Sequence, residues 1–88
     1  MAELDTAHMA KLRWRCRRGT TELDRLLNRF LDDDQAGYAC LDAAGREVFD
    51  QLLSIEDDRL IDWLLKGEPA GEPSLEKISR RIRAASGL

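Results

Sequence analysis

One stripe of large apolar residues constrains the fold of this chain more than any other sequence feature. Between residues 23 and 31 the apolar positions recur at i, i+3, i+4, i+7 and i+8. They are Leu23, Leu26, Leu27, Phe30 and Leu31. This spacing places the side chains on one face of an α-helix. Because such a face must be covered, the rest of the chain has to supply further apolar faces that pack against it.

Three later segments also predict helices, each with its own apolar face. Asp42 is a suitable N-cap for a helix whose apolar stripe falls within residues 48–53. Residues 60–65 predict a short helix that is apolar almost all round, and we expect its Trp63 to lie in the core. Ser74 is expected to cap the last amphipathic helix.

The segment LRWRCR, residues 12–17, is ambiguous. Its apolar and basic residues alternate strictly, which is typical of a strand, but a helix can also be drawn through Leu12 and Cys16. Because one strand would have nothing to pair with, we predict a helix. The sequence therefore predicts an all-α, single-domain bundle of four or five short helices over residues 9–85, preceded by a mobile extension at residues 1–8.

The charge of the chain is acidic overall and basic in one place. A net charge of −3 argues against a general nucleic-acid binder, because such domains present a basic surface to phosphates. KLRWRCRR, residues 11–18, nevertheless holds five basic residues and no acidic one. A locally basic strip on an acidic protein favours a specific protein partner over DNA.

Targeting and redox features predict a cytoplasmic protein. No apolar run approaches the roughly 18 residues that a membrane span needs, and MAELDTAH at the N-terminus is unlike a presequence. Cys16 and Cys40 are the two cysteines, and without a signal peptide they predict reduced thiols rather than a disulfide. We expect no association with a membrane.

Residues that carry catalytic chemistry are scarce, so we do not expect an enzyme. His8 is the one histidine, and nothing in the sequence orients it toward a nucleophile. The two cysteines are too widely spaced for a zinc site, and no glycine-rich phosphate motif occurs. We therefore predict neither catalytic residues nor metal ligands.

The nonapeptide CRRGTTELD, residues 16–24, has a purely structural interpretation. Gly19 can end the first helix in a left-handed conformation, with Arg17 and Arg18 completing its last turn. Glu22 then lies in the first turn of the second helix, near the positive end of its dipole. These local interactions account for Arg17, Arg18 and Glu22 without a partner.

A functional interpretation of the same nonapeptide is a docking surface. Glycine lets another backbone approach closely, arginine presents a planar fork to carboxylates or carbonyls, and glutamate offers acceptors. Trp14, flanked by two arginines, is either a core residue or an aromatic anchor for a partner. The candidate partner-binding residues are Trp14, Arg17, Arg18, Gly19, Thr20 and Glu22.

The segment RWRCRRGTTELD resembles the RGxxE signature region of the SdhE family of FAD assembly factors. Further likenesses follow in the same order along the chain, from the LL..F helix through VFDQLLSIEDD to L..WL. The similarity covers roughly residues 9–84, and Thr20 and Thr21 fill the variable positions of the motif. The motif alone is weak, but the whole combination at this length is specific.

This resemblance implies a five-helix bundle that binds the flavoprotein subunit of succinate dehydrogenase, and often that of fumarate reductase. It further implies that the chain promotes covalent attachment of FAD to a histidine of that subunit without binding FAD stably itself. The family signature falls on Arg18, Gly19 and Glu22, with Arg17 beside it. We expect such a protein to act as a monomer.

Two other classes of function remain open from the residues. A small acidic helical protein also fits an antitoxin-like or regulatory binding module that has no role in flavinylation. The basic strip at residues 11–18 allows a nucleic-acid binder, although the acidic overall charge argues against it. Capture of a flavoprotein favours the assembly factor, and salt-dependent DNA binding favours the nucleic-acid binder.

Overall fold

Five α-helices follow one another along the computed structural model, which describes residues 6–87. They are α1 (Thr6–Arg15), α2 (Thr21–Asp32), α3 (Ala43–Leu52), α4 (Asp57–Leu60) and α5 (Pro73–Ala85). A 3-10 turn (Tyr38–Cys40) precedes α3, and a π-helical turn (Ile61–Leu65) continues α4. Residues 6–87 contain no strand, so the predicted all-α bundle is confirmed, and the helix predicted for LRWRCR is confirmed as far as Arg15. Residues 1–5 of the predicted extension lie outside the described residues.

The apolar stripe of α2 forms the centre of the core. Each of its side chains is at most 6% exposed, so each leucine contributes about 2 kcal/mol through burial. Phe49 of α3 packs against both Phe30 and Tyr38, with ring centroids 5.4 and 5.3 Å away. Ile82 of α5 is fully buried, and Trp63 is 7% exposed, which confirms its expected core position. The later helices therefore cover the α2 face as the sequence requires.

Of the two predicted N-caps, the one of α3 is confirmed and the one of α5 is wrong. The Asp42 carboxylate accepts a hydrogen bond from a first-turn backbone N–H of α3 at 2.7 Å, as predicted. The predicted cap at Ser74 is wrong, because α5 begins at Pro73 and Ser74 already lies within the helix. The N-cap is Glu72, whose side chain accepts from the N–H of Leu75 at 2.9 Å. Proline suits the first helical position because no N–H is needed there.

Gly37 lies in the turn beyond α2, at a point where the backbone folds closely against itself. Its N–H donates to the carbonyl of Asp33 at 3.0 Å. A Cβ at this position would lie 2.0 Å from the carbonyl oxygen of Phe30 and 2.6 Å from that of Asp33. Only glycine fits this turn, which delivers Tyr38 into the core.

The π-helical turn after α4 is joined to α5 by a side chain. The N–H of Lys66 donates to the carbonyl of Ile61 at 3.0 Å, and Gly67 ends the turn with a φ of +77°. Arg83 of α5 donates to the carbonyl of Leu64 at 2.9 Å. This bond satisfies a carbonyl at the end of the helix and fixes α5 against it.

Candidate docking site at the turn between α1 and α2

The turn between α1 and α2 holds the centre of the nonapeptide, and its geometry corrects the structural interpretation. Because α1 ends at Arg15, Arg17 and Arg18 lie beyond the helix and not in its last turn. The positive-φ residues of the described chain do not include Gly19, so the predicted left-handed cap is wrong. The chain instead turns at Cys16, which is fully buried, and the following residues are held by contacts from α3 and α4.

Arg18 and Gly19 are hydrogen-bonded to the corner between α3 and α4. The guanidinium of Arg18 donates to the carbonyl of Leu53 at 2.6 Å and to Asp57 Oδ1 at 3.3 Å. The other oxygen of Asp57 accepts the N–H of Gly19 at 3.3 Å. The Arg18 side chain is only 13% exposed. The arginine of the motif therefore fixes the turn from within the molecule.

Gly19 is exposed, and the fold around it leaves room for a side chain. A Cβ there would meet nothing closer than Asp57 Oδ2 at 3.9 Å, which is an ordinary contact distance. Its φ lies outside the left-handed region that favours glycine. The fold thus gives no reason for glycine at this position, whereas a partner backbone that approaches the turn would give one.

Trp14 and Arg17 form an exposed aromatic–cation pair beside this turn. Trp14 is 70% exposed, and the guanidinium carbon of Arg17 lies 5.4 Å from the centroid of the indole ring. Such a contact is worth about 0.5–1 kcal/mol at an exposed site and favours this arrangement of the two groups. Trp14 is therefore not a core residue, and an exposed tryptophan is a suitable anchor for a protein partner.

Thr20 and Glu22 begin α2. Thr20 is the N-cap with an extended backbone, but its hydroxyl makes no capping hydrogen bond. The carbonyl of Thr20 accepts the N–H of Asp24 at 2.9 Å. Glu22 lies in the first turn of the helix, as predicted, and its side chain is exposed. The carboxylate therefore faces solvent near the positive end of the α2 dipole.

The basic strip at residues 11–18 is largely neutralised within the molecule. Arg13 pairs with Asp32, Arg15 pairs with Asp50 at 2.5 Å, and Arg18 pairs with Asp57. The hydrogen bond from the Arg13 guanidinium lowers the pKa of Asp32 below its ordinary value. Arginines committed to carboxylates are poorly placed to bind phosphates, which argues against a nucleic-acid site.

The two thiols have opposite environments. Cys16 is fully buried, and burial raises its pKa to about 12, whereas Cys40 is exposed. Because the thiolate is the reactive form, Cys16 is inert at neutral pH.

Native protein should react rapidly with Ellman's reagent at one thiol per chain and at the second only after denaturation. Cys40→Ser should abolish the rapid phase, and two rapid equivalents in the native protein would contradict this assignment.

Asp57 is the site residue that sequence reasoning missed. The Glu56-Asp57-Asp58 cluster has the pattern of an acidic helix start, and α4 does begin at Asp57. Its bonds to Arg18 and Gly19 span 39 and 38 residues of sequence. No periodicity or local motif connects positions so far apart. The acidic character of residue 57 was visible in the sequence, but its partners were not.

The features above define a class of protein. Within residues 6–87, none of the helices combines the length and hydropathy that a bilayer span requires. The same residues hold no group of three or more histidine, cysteine or acidic side chains placed to bind a metal. The exposed tryptophan beside the docking turn indicates a surface for protein contact, because tryptophan is enriched at the hot spots of protein–protein interfaces.

Comparison with known proteins then identifies the family. Residues 10–86 match the family model described as flavinator of succinate dehydrogenase. The FAD assembly factor SdhE of Coxiella burnetii is 41% identical over 86% of this chain and 89% of its own length. The SdhE of Xylella fastidiosa strain 9a5c is 40% identical over 91% of this chain and 79% of its own, and that of Shewanella oneidensis 32% over 91% and 94%.

This chain belongs to the SdhE family of FAD assembly factors. No solved structure gives a significant match to it. The resemblance inferred from the RGxxE region and the segments that follow it is confirmed.

Proposed function

We propose that this chain binds the flavoprotein subunit of succinate dehydrogenase and promotes the covalent attachment of FAD to that subunit. The names of the family and of its curated members support this role. The main structural support for this proposal is the turn at Gly19. The turn is exposed and is held by a hydrogen bond to Asp57, and nothing within the fold requires a glycine at this position. Because Gly19 has no Cβ, the backbone of a partner can approach this turn closely, which suits the turn to docking.

Each candidate residue has a distinct part in this docking. Arg18 acts as a positioning residue, because its guanidinium is engaged with Leu53 and Asp57. Trp14, held by Arg17, is the apolar anchor of the interface. Glu22 presents its carboxylate to donors of the partner, and Thr20 lets the chain leave the turn with an extended backbone.

The effect on flavinylation follows from preferential binding to one conformation of the partner. Covalent attachment requires a histidine of the flavoprotein to lie close to the reactive carbon of the flavin. A factor that binds the competent arrangement more tightly than others raises its population, and such positioning is worth several kcal/mol. The docking surface of this chain is suited to that task because hydrogen bonds within the unbound chain already hold the turn in place.

We further propose that the chain binds the flavoprotein subunit of fumarate reductase as a second partner. The chain acts as a monomeric cytoplasmic factor, performs no catalysis of its own and does not hold FAD stably.

The test uses the apo flavoprotein subunit, free FAD and this chain. Covalent flavin is measured as in-gel fluorescence after denaturation. We expect the wild-type chain to raise the amount of covalent flavin, and Glu22→Ala and Gly19→Arg to reduce that gain at least fivefold. Because Gly19 has room for a Cβ, Gly19→Arg should block docking without lowering the melting temperature.

Gln35→Arg is the matched control for added positive charge. Gln35 is exposed and lies beyond the far end of α2, roughly 20 Å along the helix from Gly19. It should support flavinylation like the wild type. Equal flavin fluorescence with and without the wild-type chain would refute the assembly role. Binding of the subunit without added flavin would favour a regulatory module instead.

A further inference from the structure

A groove runs along α2 from the docking turn toward the end of α5. Its volume is about 490 Å³, and its lining consists of Glu22, Arg25, Leu26, Arg29 and Ser86. The four α2 residues follow the spacing i, i+3, i+4 and i+7, so they share one face of the helix. Leu26 is only 6% exposed and forms an apolar floor. Glu22 therefore belongs both to the family motif and to this groove.

The two arginines of the groove are not committed to other groups. Arg25 and Arg29 are exposed, and neither takes part in an ion pair or side-chain hydrogen bond within residues 6–87. Arg13, Arg15 and Arg18 by contrast are each paired with an aspartate. A planar guanidinium without a partner is the group best suited to bind a carboxylate from outside.

The docking turn is too small to form an interface alone. A specific complex buries about 800 Å² on each partner, contributed by some 20 residues. The turn and the Trp14–Arg17 pair supply only a few exposed residues. The groove begins at Glu22 and extends this surface by two turns of α2, which is about 10 Å. The interface thus has a continuous path from the turn into the groove.

We propose that this groove receives an acidic segment of the partner flavoprotein, with a carboxylate between Arg25 and Arg29 and an apolar side chain over Leu26. This inference rests on the proposed function and names the chemistry of the segment that is bound. The protein is acidic overall, with a net charge of −3, yet the groove holds two arginines and one glutamate. Glu22, at the end of the groove next to the docking turn, would accept hydrogen bonds from the N–H groups of the bound segment.

The test is a double charge reversal, Arg25→Glu/Arg29→Glu, in the full chain. The matched control is Lys77→Glu/Arg81→Glu, which reverses two charges at the same i, i+4 spacing on α5. Lys77 and Arg81 line a different groove, against the start of α3. Affinity for the apo flavoprotein subunit is measured by isothermal titration calorimetry at several salt concentrations, with circular dichroism and the melting temperature as checks on folding.

We expect the groove variant to bind at least tenfold more weakly and the control within twofold of wild type. The dependence of log Kd on log salt should also be flatter in the groove variant. If the charge reversal disturbs folding, Arg25→Gln/Arg29→Gln tests the same surface with a smaller change and should weaken binding at least threefold.

The outcomes separate this inference from the proposed function. Unchanged affinity of the groove variant, or an equal loss in the control, overturns the groove assignment and leaves the assembly role intact. Absence of binding by the wild-type chain overturns both. Retention of the wild type on duplex DNA that is lost in the groove variant assigns the groove to nucleic acid and overturns the peptide assignment.

Discussion

Gly37→Ala is expected to lower the free energy of unfolding by about 3 kcal/mol, which is a large part of the stability of a domain this small. The added Cβ would lie 2.0 Å from the carbonyl oxygen of Phe30 and 2.6 Å from that of Asp33. Both neighbours are backbone atoms, so they cannot rotate away as a side chain can. Relief requires the turn to open, which withdraws Tyr38 from its contact with Phe49.

Urea denaturation followed by circular dichroism measures this effect, and Gly19→Ala is the control. At Gly19 the nearest atom to an added Cβ is 3.9 Å away and φ is not positive. Gly19→Ala should therefore change stability by no more than about 0.5 kcal/mol. A Gly37→Ala protein as stable as Gly19→Ala would show that the turn rearranges at little cost.

Arg18→Met is expected to lower the free energy of unfolding by about 2 kcal/mol, because it removes the hydrogen bonds that join the docking turn to the α3–α4 corner. The guanidinium donates to the carbonyl of Leu53 and to Asp57, and 13% of its side chain is exposed. Arg18→Lys should recover little of the loss, since one ammonium group cannot reproduce a planar fork that reaches two acceptors.

A double-mutant cycle with Asp57→Asn measures the ion pair itself. We expect a coupling energy of about 1 kcal/mol, because the aspartate is 33% exposed and solvent screens part of the attraction. Arg17→Met is the neighbouring control; its guanidinium is exposed and lies over the Trp14 ring, so the change should cost less than about 1 kcal/mol. Equal destabilisation by both arginine variants would contradict a special role for Arg18.

The contact of Arg18 and Gly19 with Asp57 also predicts that Arg18 and Glu22 contribute to flavinylation in different ways. If Arg18 acts by holding Gly19, Asp57→Asn should reduce flavinylation along with Arg18→Met, although Asp57 lies outside the RGxxE motif. Glu22→Ala should reduce flavinylation while lowering the free energy of unfolding by less than about 1 kcal/mol, because the exposed carboxylate stabilises the fold only through the dipole of α2. Stability and flavinylation measured on the same proteins distinguish these two kinds of residue.

The helical elements were predictable because each is specified by residues close together in sequence. The period of the α2 stripe determined both the helix and its buried face, and Asp42 marked the start of α3 through a contact within one turn. The start of α5 was misplaced by a local competition, since Pro73 and Glu72 together form a better beginning than Ser74. The resemblance to the SdhE family was likewise carried by short motifs in order.

The state of the docking turn was decided only by tertiary structure. Sequence alone left Trp14 between core and surface and assigned Gly19 a left-handed cap that it does not adopt. Arg18 and Gly19 meet Asp57 across 39 and 38 residues, and this contact exists only once α3 and α4 have packed. Helical periodicity determines which face of each element is buried, because it depends on neighbouring residues. The packing of the helices determines which charges meet, because those charges come from distant parts of the chain.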